Sequence, residues 1–534
     1  MTATIAPDRS ATRGGRDSFA RLVRSEWTKF RTVRGWMIGL VIAGLVTVLL
    51  GLVSSAGSHV SCTPAPGSTS GTGGPGGCGV GPPRGPDGLA VTDQFTFVHQ
   101  TLTGNGSITA RVTSLTGQAP AGGRNPAVTP GDTLTEWAKA GLIVKAGTRQ
   151  GSAYAAIMVT GRHGVRMQYD YTHDKAGSAG AVSATDPRWL RLTRSGDTVT
   201  GYESTDGTHW TRVGAARLRG LPSTVPAGMF VTSPQFEKTD VRFGGTSSEG
   251  GPSQATAVLD RVDLRGGWTG GRWSKDIVGG NAGGPPPETG FDPGFTESAG
   301  RFTVAGSGDI APGAAGPEGN TLERSLVGVF AGLMAMIVIG VMFMTAEYRH
   351  GMIRTTLTAN PRRGRVLAAK AVVLGAATFV TGLVAAVVSV GLVGHMRRNN
   401  GQRILPVTTL TEARVVAGTA ALLAVTAVLA LAVGTMLRRS AGAVAAVVLM
   451  IILPYIMAVA SVLPPSAADW PLRLTPAAGF AIQQSIPRYH QVAGTYVPAT
   501  GYFPLSPWVG FAVLCAWTAA ALALAARLLR RRDA

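Results

Sequence analysis

The residues that could carry chemistry in this chain are few and scattered. Paired carboxylates at E-x-D-x-E spacing would let one acid and one base or nucleophile flank a glycosidic bond, and no such run occurs. Asp170, Asp174, Glu203 and Asp206 are the nearest acids. Asp170 takes a polar position in the alternating run Val165–Tyr171, where solvent exposure is expected, and Asp206 precedes Gly207 as turn residues do. Asp170 and Glu203 stand as ligand-binding candidates, with no catalytic pairing. His163, His173 and His209 lack metal-ligand spacing, and three cysteines are too few for a four-cysteine zinc site or a disulfide scaffold. No G-x-x-x-x-G-K-[ST] phosphate loop is present; the Gly-rich stretch around 71–81 lacks the lysine. The expectation is a chain with no catalytic residue, no metal and no cofactor of its own.

The elements that position these residues fall into two kinds. The chain has 534 residues and a net charge of +20, with only 15% charged residues. Six apolar segments reach the length of a membrane-crossing helix: 36–56, 326–346, 371–394, 415–437, 441–463 and 508–526. None contains Asp, Glu, Lys, Arg or His. The basic residues flank these runs and form no single soluble face, which argues against nucleic acid as a partner. They concentrate before the first span (residues 1–35), in 347–370, at Arg438 and Arg439, and after the last span. By the distribution of Lys and Arg in short flanks, both termini are cytoplasmic. The first apolar run is longer than a signal-peptide core and follows about 35 residues, so it is read as an uncleaved anchor.

Between the first two spans the chain reads as water-soluble. Residues 57–89 and 266–322 are rich in Gly, Pro and Ser and are expected to be linkers, with 244–255 as a further internal one. Cys62 and Cys78 lie in the first; outside the cell they can pair with each other, remain free or pair with another chain. Residues 90–265 carry short alternating strands and tight turns, among them Leu190–Thr193, Ser195-Gly-Asp, Thr198–Tyr202 and Asp206-Gly. Many short strands at this spacing predict an all-β sandwich. The fold class expected is therefore an α-helical polytopic membrane protein of six transmembrane helices carrying a large all-β extracellular domain.

The run GYESTDGTHW, with AGLIVK and WLRLTR before it, resembles concanavalin-like jelly-roll domains. The likeness implies a fold and leaves the ligand open among glycan, cargo and protein. SEWTKFRTVRG before the first span and EYRHGMIRTTL…P-R-R-G-R-V-L-A-A-K after the second resemble permease subunits of the type 2 ABC exporters. That resemblance implies a bacterial plasma-membrane protein, working as a homodimer or heterodimer in the lipid bilayer. Its energy would come from a separate ABC ATPase subunit, which holds the ATP and Mg. It also implies that the N-terminal amphipathic helix and the coupling loop 347–370 contact that ATPase, through Glu26, Trp27, Lys29, Glu347, Arg349, Gly351, Arg354 and Thr355. Residues 464–507 would form short re-entrant or interfacial helices. The large segment after the first span departs from the family, where a short loop is usual. The alternative reading is a membrane-anchored receptor for an extracellular glycan or peptide, without transport.

Overall fold

The computed structural model describes residues 17–58, 82–118, 134–242, 245–279, 293–314, 319–349, 351, 362–459, 465–492 and 496–531. Cys62, Cys78, Arg354 and Thr355 lie outside them. Among the described residues, six helices are long and apolar enough to cross a membrane. An amphipathic helix, α1 (Asp17–Thr32), leads into the first of these, α2 (Arg34–Ala56). The others are α3 (Val329–Arg349), α4 (Arg363–Val388), α6 (Thr409–Leu437), α7 (Ser440–Val459) and α9 (Pro507–Arg531). A π-helical turn over Ser389–Val393 joins α4 to a short α5 (Gly394–Asn399), and α8 spans Pro465–Leu474.

The fourth span, α6, is the centre of the bundle. It is 72% buried, against 22% for the first and last spans. Small residues let its neighbours approach: a Cβ on Gly340 of α3 would stand 2.4 Å from the Ala427 carbonyl oxygen of α6. Between α8 and α9 the segment Pro476–Gln483 coils as a 3₁₀ helix with every residue buried. Arg414 of α6 donates to the carbonyl of Gln484 at 2.7 Å, and Gln483 Nε2 donates to Thr419 Oγ1 at 3.1 Å, so this segment is tied to the central helix.

The β domain is organised by one 24-residue strand, β2 (Phe95–Gln118). Its first part pairs with β10 (Thr224–Thr232) and β14 (Ser274–Val278); its second part pairs with β7 (Arg188–Ser195) and β13 (Gln254–Trp268). The strand thus belongs to two layers. One layer continues from β10 through β3 (Lys139–Lys145), β4 (Tyr154–Thr160), β5 (Val165–Tyr169) and β6 (His173–Ala176). The other continues through β8 (Thr198–Ser204) and β9 (Thr211–Arg217) on one side and β16 (Arg301–Gly306) on the other. Between them pack alternating residues such as Ile108, Leu142, Ile157, Leu190, Met229 and Leu259.

Much of the expected linker sequence is folded. In place of the internal linker at 244–255 there is a hairpin of β11 (Phe236–Arg242) and β12 (Gly245–Gly251) and the start of β13. Within 266–322 lie β14, β15 (Phe295–Ser298), β16 and β17 (Ile310–Pro312). The Gly content that reads as a linker marks the turns between short strands: Gly270, Gly279, Gly300 and Gly308 all adopt positive φ.

The incoming strand β1 (Val91–Asp93) and the outgoing β17 pair antiparallel and cover the outer face of the first layer. Two lysines fasten them. Strand β3 is buried on both faces, and Lys139 and Lys145 stand at its two ends. Lys145 Nζ donates to Asp93 Oδ2 at 2.7 Å, where the Tyr171 hydroxyl and the Gly151 N–H also converge. Lys139 Nζ donates to Asp309 Oδ1 at 2.5 Å and to the Ile310 carbonyl at 2.7 Å. The domain in turn rests on the membrane bundle. Ala90 packs with Leu405, Ile486 and Tyr502, and Gln491 Nε2 donates to the Tyr171 and Thr172 carbonyls at 3.3 Å. Asp93→Ala should therefore strand a buried ammonium and destabilise the β domain by about 3–5 kcal/mol. Chemical denaturation of the full chain in detergent, followed by tryptophan fluorescence, checks this. Asp263→Asn, in an exposed pair with Arg265, should change the midpoint little.

At the same end of the bundle, Glu323 heads the 3₁₀ turn (Leu322–Leu326) before α3. Its Oε2 accepts the Ser485 hydroxyl at 2.5 Å, while Oε1 is enclosed beneath Gly501 without a partner. Burial pushes this carboxyl up to about 7, against the smaller opposing effect of the Ser485 hydrogen bond. The folded state then binds a proton more tightly than the unfolded one. Stability should fall as pH rises from about 4.5 to about 7. A series of thermal midpoints across that window, flatter in Glu323→Gln than in the wild type, is the expected result.

Candidate functional site

A carboxylate at the edge of a hydrocarbon layer needs a counter-charge, because desolvating it alone costs several kcal/mol. Two such carboxylates meet at the end of the bundle where α4 begins and α9 ends. On α1, Val23, Glu26 and Phe30 share one helical face, which turns into the bundle; Glu26 and Phe30 are fully buried. Glu347 sits in the last turn of α3 and Lys370 two turns into α4.

Lys370 Nζ donates to Glu26 Oε2 at 2.7 Å and to Glu347 Oε1 at 2.6 Å. It also lies 4.7 Å from the centre of the Phe343 ring. Phe30 and Trp36 set their edges against that same ring, at 5.3 and 5.7 Å between centroids. Lys29 adds a second ammonium from the solvent side, 3.1 Å from Glu26 Oε1 and 4.0 Å from Glu347 Oε1. The node holds two negative and two positive charges. One ammonium is sealed inside and the other is nearly half exposed. Glu347 Oε2 is enclosed and has no hydrogen-bond partner. Three elements that are distant in sequence are thus joined through one ammonium: the surface helix and the second and third spans.

The sequence expectation put Glu26 and Glu347 on a partner-facing surface. Here both face inward and are consumed by Lys370. Trp27 remains 40% exposed, stacked 6.2 Å from Phe30, and Arg349 is exposed. Gly351 adopts φ +67, and its N–H caps the carbonyl of Tyr348 at the end of α3, so it terminates a helix. Lys370 reads in sequence as one more basic flank setting topology. The available signal was the pair of acids, Glu26 and Glu347, each followed by an aromatic residue at a membrane boundary and each requiring a cation.

Asp170, Glu203 and Asp206 of the β domain each have a separate local partner. Asp170 is in the turn between β5 and β6 at φ +46, half-buried, and accepts the Tyr154 N–H at 3.4 Å. It was expected on the exposed face of a strand; the strand ends one residue earlier. Burial pushes its carboxyl up. Glu203 is buried in β8, its Oε1 accepting the Ser178 N–H at 2.8 Å. Among the described residues no hydrogen bond or ion pair joins the two. Asp206 caps its own turn, accepting from the Thr208 and His209 N–H groups, and the His209 ring holds its carboxyl well below the usual range.

Lys370→Met should leave two carboxylates sharing only the half-exposed Lys29 and lower the thermal midpoint of the detergent-solubilised chain by several degrees. The triple variant Glu26→Gln, Lys370→Met, Glu347→Gln should recover most of that loss. A midpoint unchanged in Lys370→Met would show that the node bears no load.

A family described as ABC-2 family transporter protein matches residues 165–534. No curated protein matches at a significant level. Among solved structures, a functionally unknown protein from Saccharomyces cerevisiae is 13% identical, covering 32% of this chain and 74% of its own, with a TM-score of 0.20. Scytalido-glutamic peptidase is 9% identical, covering 40% and 98%, with a TM-score of 0.23. The GH43 protein BlXynB from Bacillus licheniformis is 13% identical, covering 30% and 27%, with a TM-score of 0.18. None of these three likenesses bears on activity.

Proposed function

Because this chain belongs to the ABC-2 transporter family, we propose that it is the permease subunit of an ATP-driven exporter, coupled to a separate ATPase chain. The observation that carries the reading is the Lys370 node. The resemblance of 25–35 and 347–370 to the family's ATPase-contacting segments supports two docking elements, and one buried ammonium ties both to the spans. On this reading the node end of the bundle is cytoplasmic and the β domain extracellular. The ATPase, carrying ATP and Mg, meets the exposed groups Trp27, Lys29 and Arg349, with Arg354 and Thr355 beyond them.

The ATPase pushes on α1 and on the end of α3. Lys370 cannot lose both Glu26 and Glu347 without leaving a charge unpaired in an apolar interior, so the push moves α1, α3 and α4 as a unit. The central helix α6 packs against α3 and α4 and receives the displacement. The chain works as a dimer, of itself or with a similar permease, in a bacterial plasma membrane. The β domain stands over the exit and meets cargo, a glycan or a neighbouring protein there.

The test is affinity purification of the tagged chain in mild detergent, with mass spectrometry and an ATPase assay. Wild type should retain an ATPase, and Trp27→Ala/Arg349→Ala should retain about tenfold less. Absence of any ATPase from wild type, under conditions that preserve a known transporter complex, would sink the reading.

A further inference from the structure

At the β-domain end of the bundle, buried and rim donors gather around Arg397 with few acceptors among them. Arg397, on α5, is only 6% exposed. Its Nη1 donates to the Gln402 amide oxygen at 3.0 Å, and its Nε is enclosed with no partner. Among the described residues no carboxylate forms an ion pair with it or with Arg324, Arg398 or Arg403. Arg324 lies close enough for its charge to repel that of Arg397. Gly394, one turn before Arg397, faces the Ser325 hydroxyl and the Arg398 guanidinium, each about 3.8 Å from where a Cβ would stand. The Ser325 hydroxyl is itself enclosed and unpartnered. Asn400 and Gln402 tie this turn to the end of α2, donating to the Ser55 and Ser58 carbonyls at 2.8 and 3.2 Å.

A buried guanidinium with one neutral partner, next to a second cation, is an unstable arrangement unless an anion completes it. The surface beside it says what kind. On the helix leading to Arg397, Val387 and Leu392 are about half exposed, and Val53 at the end of α2 is 68% exposed. Apolar side chains at that height face acyl chains. The geometry points to a binding site for the phosphate of an anionic phospholipid in the leaflet on the β-domain side. Arg397 and Ser325 hold the phosphate from within, Arg324 and Arg398 from the rim, and the acyl chains lie along Leu392 and Val53.

The experiment is native mass spectrometry of the full chain, with phosphatidylglycerol or phosphatidylcholine of identical acyl chains added back after delipidation. Wild type should retain phosphatidylglycerol in at least tenfold preference and gain thermal stability from it alone. Arg397→Gln should abolish the preference, and Arg397→Lys should keep most of it. Because Arg397→Gln removes a buried group, Arg324→Gln on the exposed rim serves as the second variant, with a several-fold loss expected. Equal retention of the two lipids by wild type overturns the proposal, as does an unchanged preference in both Gln variants. Full stabilisation by inorganic phosphate without lipid would assign the site to a free anion and overturn the lipid assignment.

Discussion

The membrane half of this protein depends on where a lysine may be buried. Lys370 is wholly enclosed, and it is stable there only because Glu26 and Glu347 reach it from two other helices. Attraction within the node is not what makes it consequential, since a buried pair returns little more than its desolvation cost. The consequence lies in the penalty for separation. Any movement that takes the third span away from both the surface helix and the second span strips Lys370 of its two acids in an apolar place. The aromatic residues Phe30, Trp36 and Phe343 shape that place and keep water from replacing the missing partner.

The β domain applies the same device twice. Lys139 and Lys145 are buried at the two ends of one strand, and each takes an acid from a connecting strand, Asp309 or Asp93. The two faces of β3 therefore have different duties. Ala140, Leu142 and Val144 fill the space between the layers, while Lys139, Ile143 and Lys145 hold the connectors. With β2 running through both layers, the domain has no seam along which one sheet could leave the other.

The features legible in sequence were those governed by hydrophobic length and alternation. All six spans were, because twenty apolar residues in a row have few other uses. The β7–β8–β9 meander was as well, because Ser195-Gly-Asp and Asp206-Gly punctuate it. Glycine-rich sequence misled, since the same residue serves a linker and the turn of a short strand, as at Gly279 and Gly300. The node was half legible: Glu26 and Glu347 stood out as acids at a boundary, but their facing direction follows from Lys370, 344 and 23 residues away. Periodicity within one helix carries no information about a cation on another. Asp93, Asp309 and Glu323 were passed over for the same reason, since burial of an isolated acid is a property of tertiary packing.

The pairing of Val91 with Pro312 has a bearing on how such a protein is assembled from parts. Adjacent antiparallel strands stand about 5 Å apart, so the chain leaves for its long excursion and returns at neighbouring points. To the membrane helices, a chain excursion of more than two hundred residues presents the footprint of a hairpin turn. Lengthening or shortening what lies beyond that ribbon changes loop-closure entropy only slowly, and the distance between α2 and α3 does not enter. The ribbon works as a socket: whatever domain it carries, the helices beneath experience a connection of the same width.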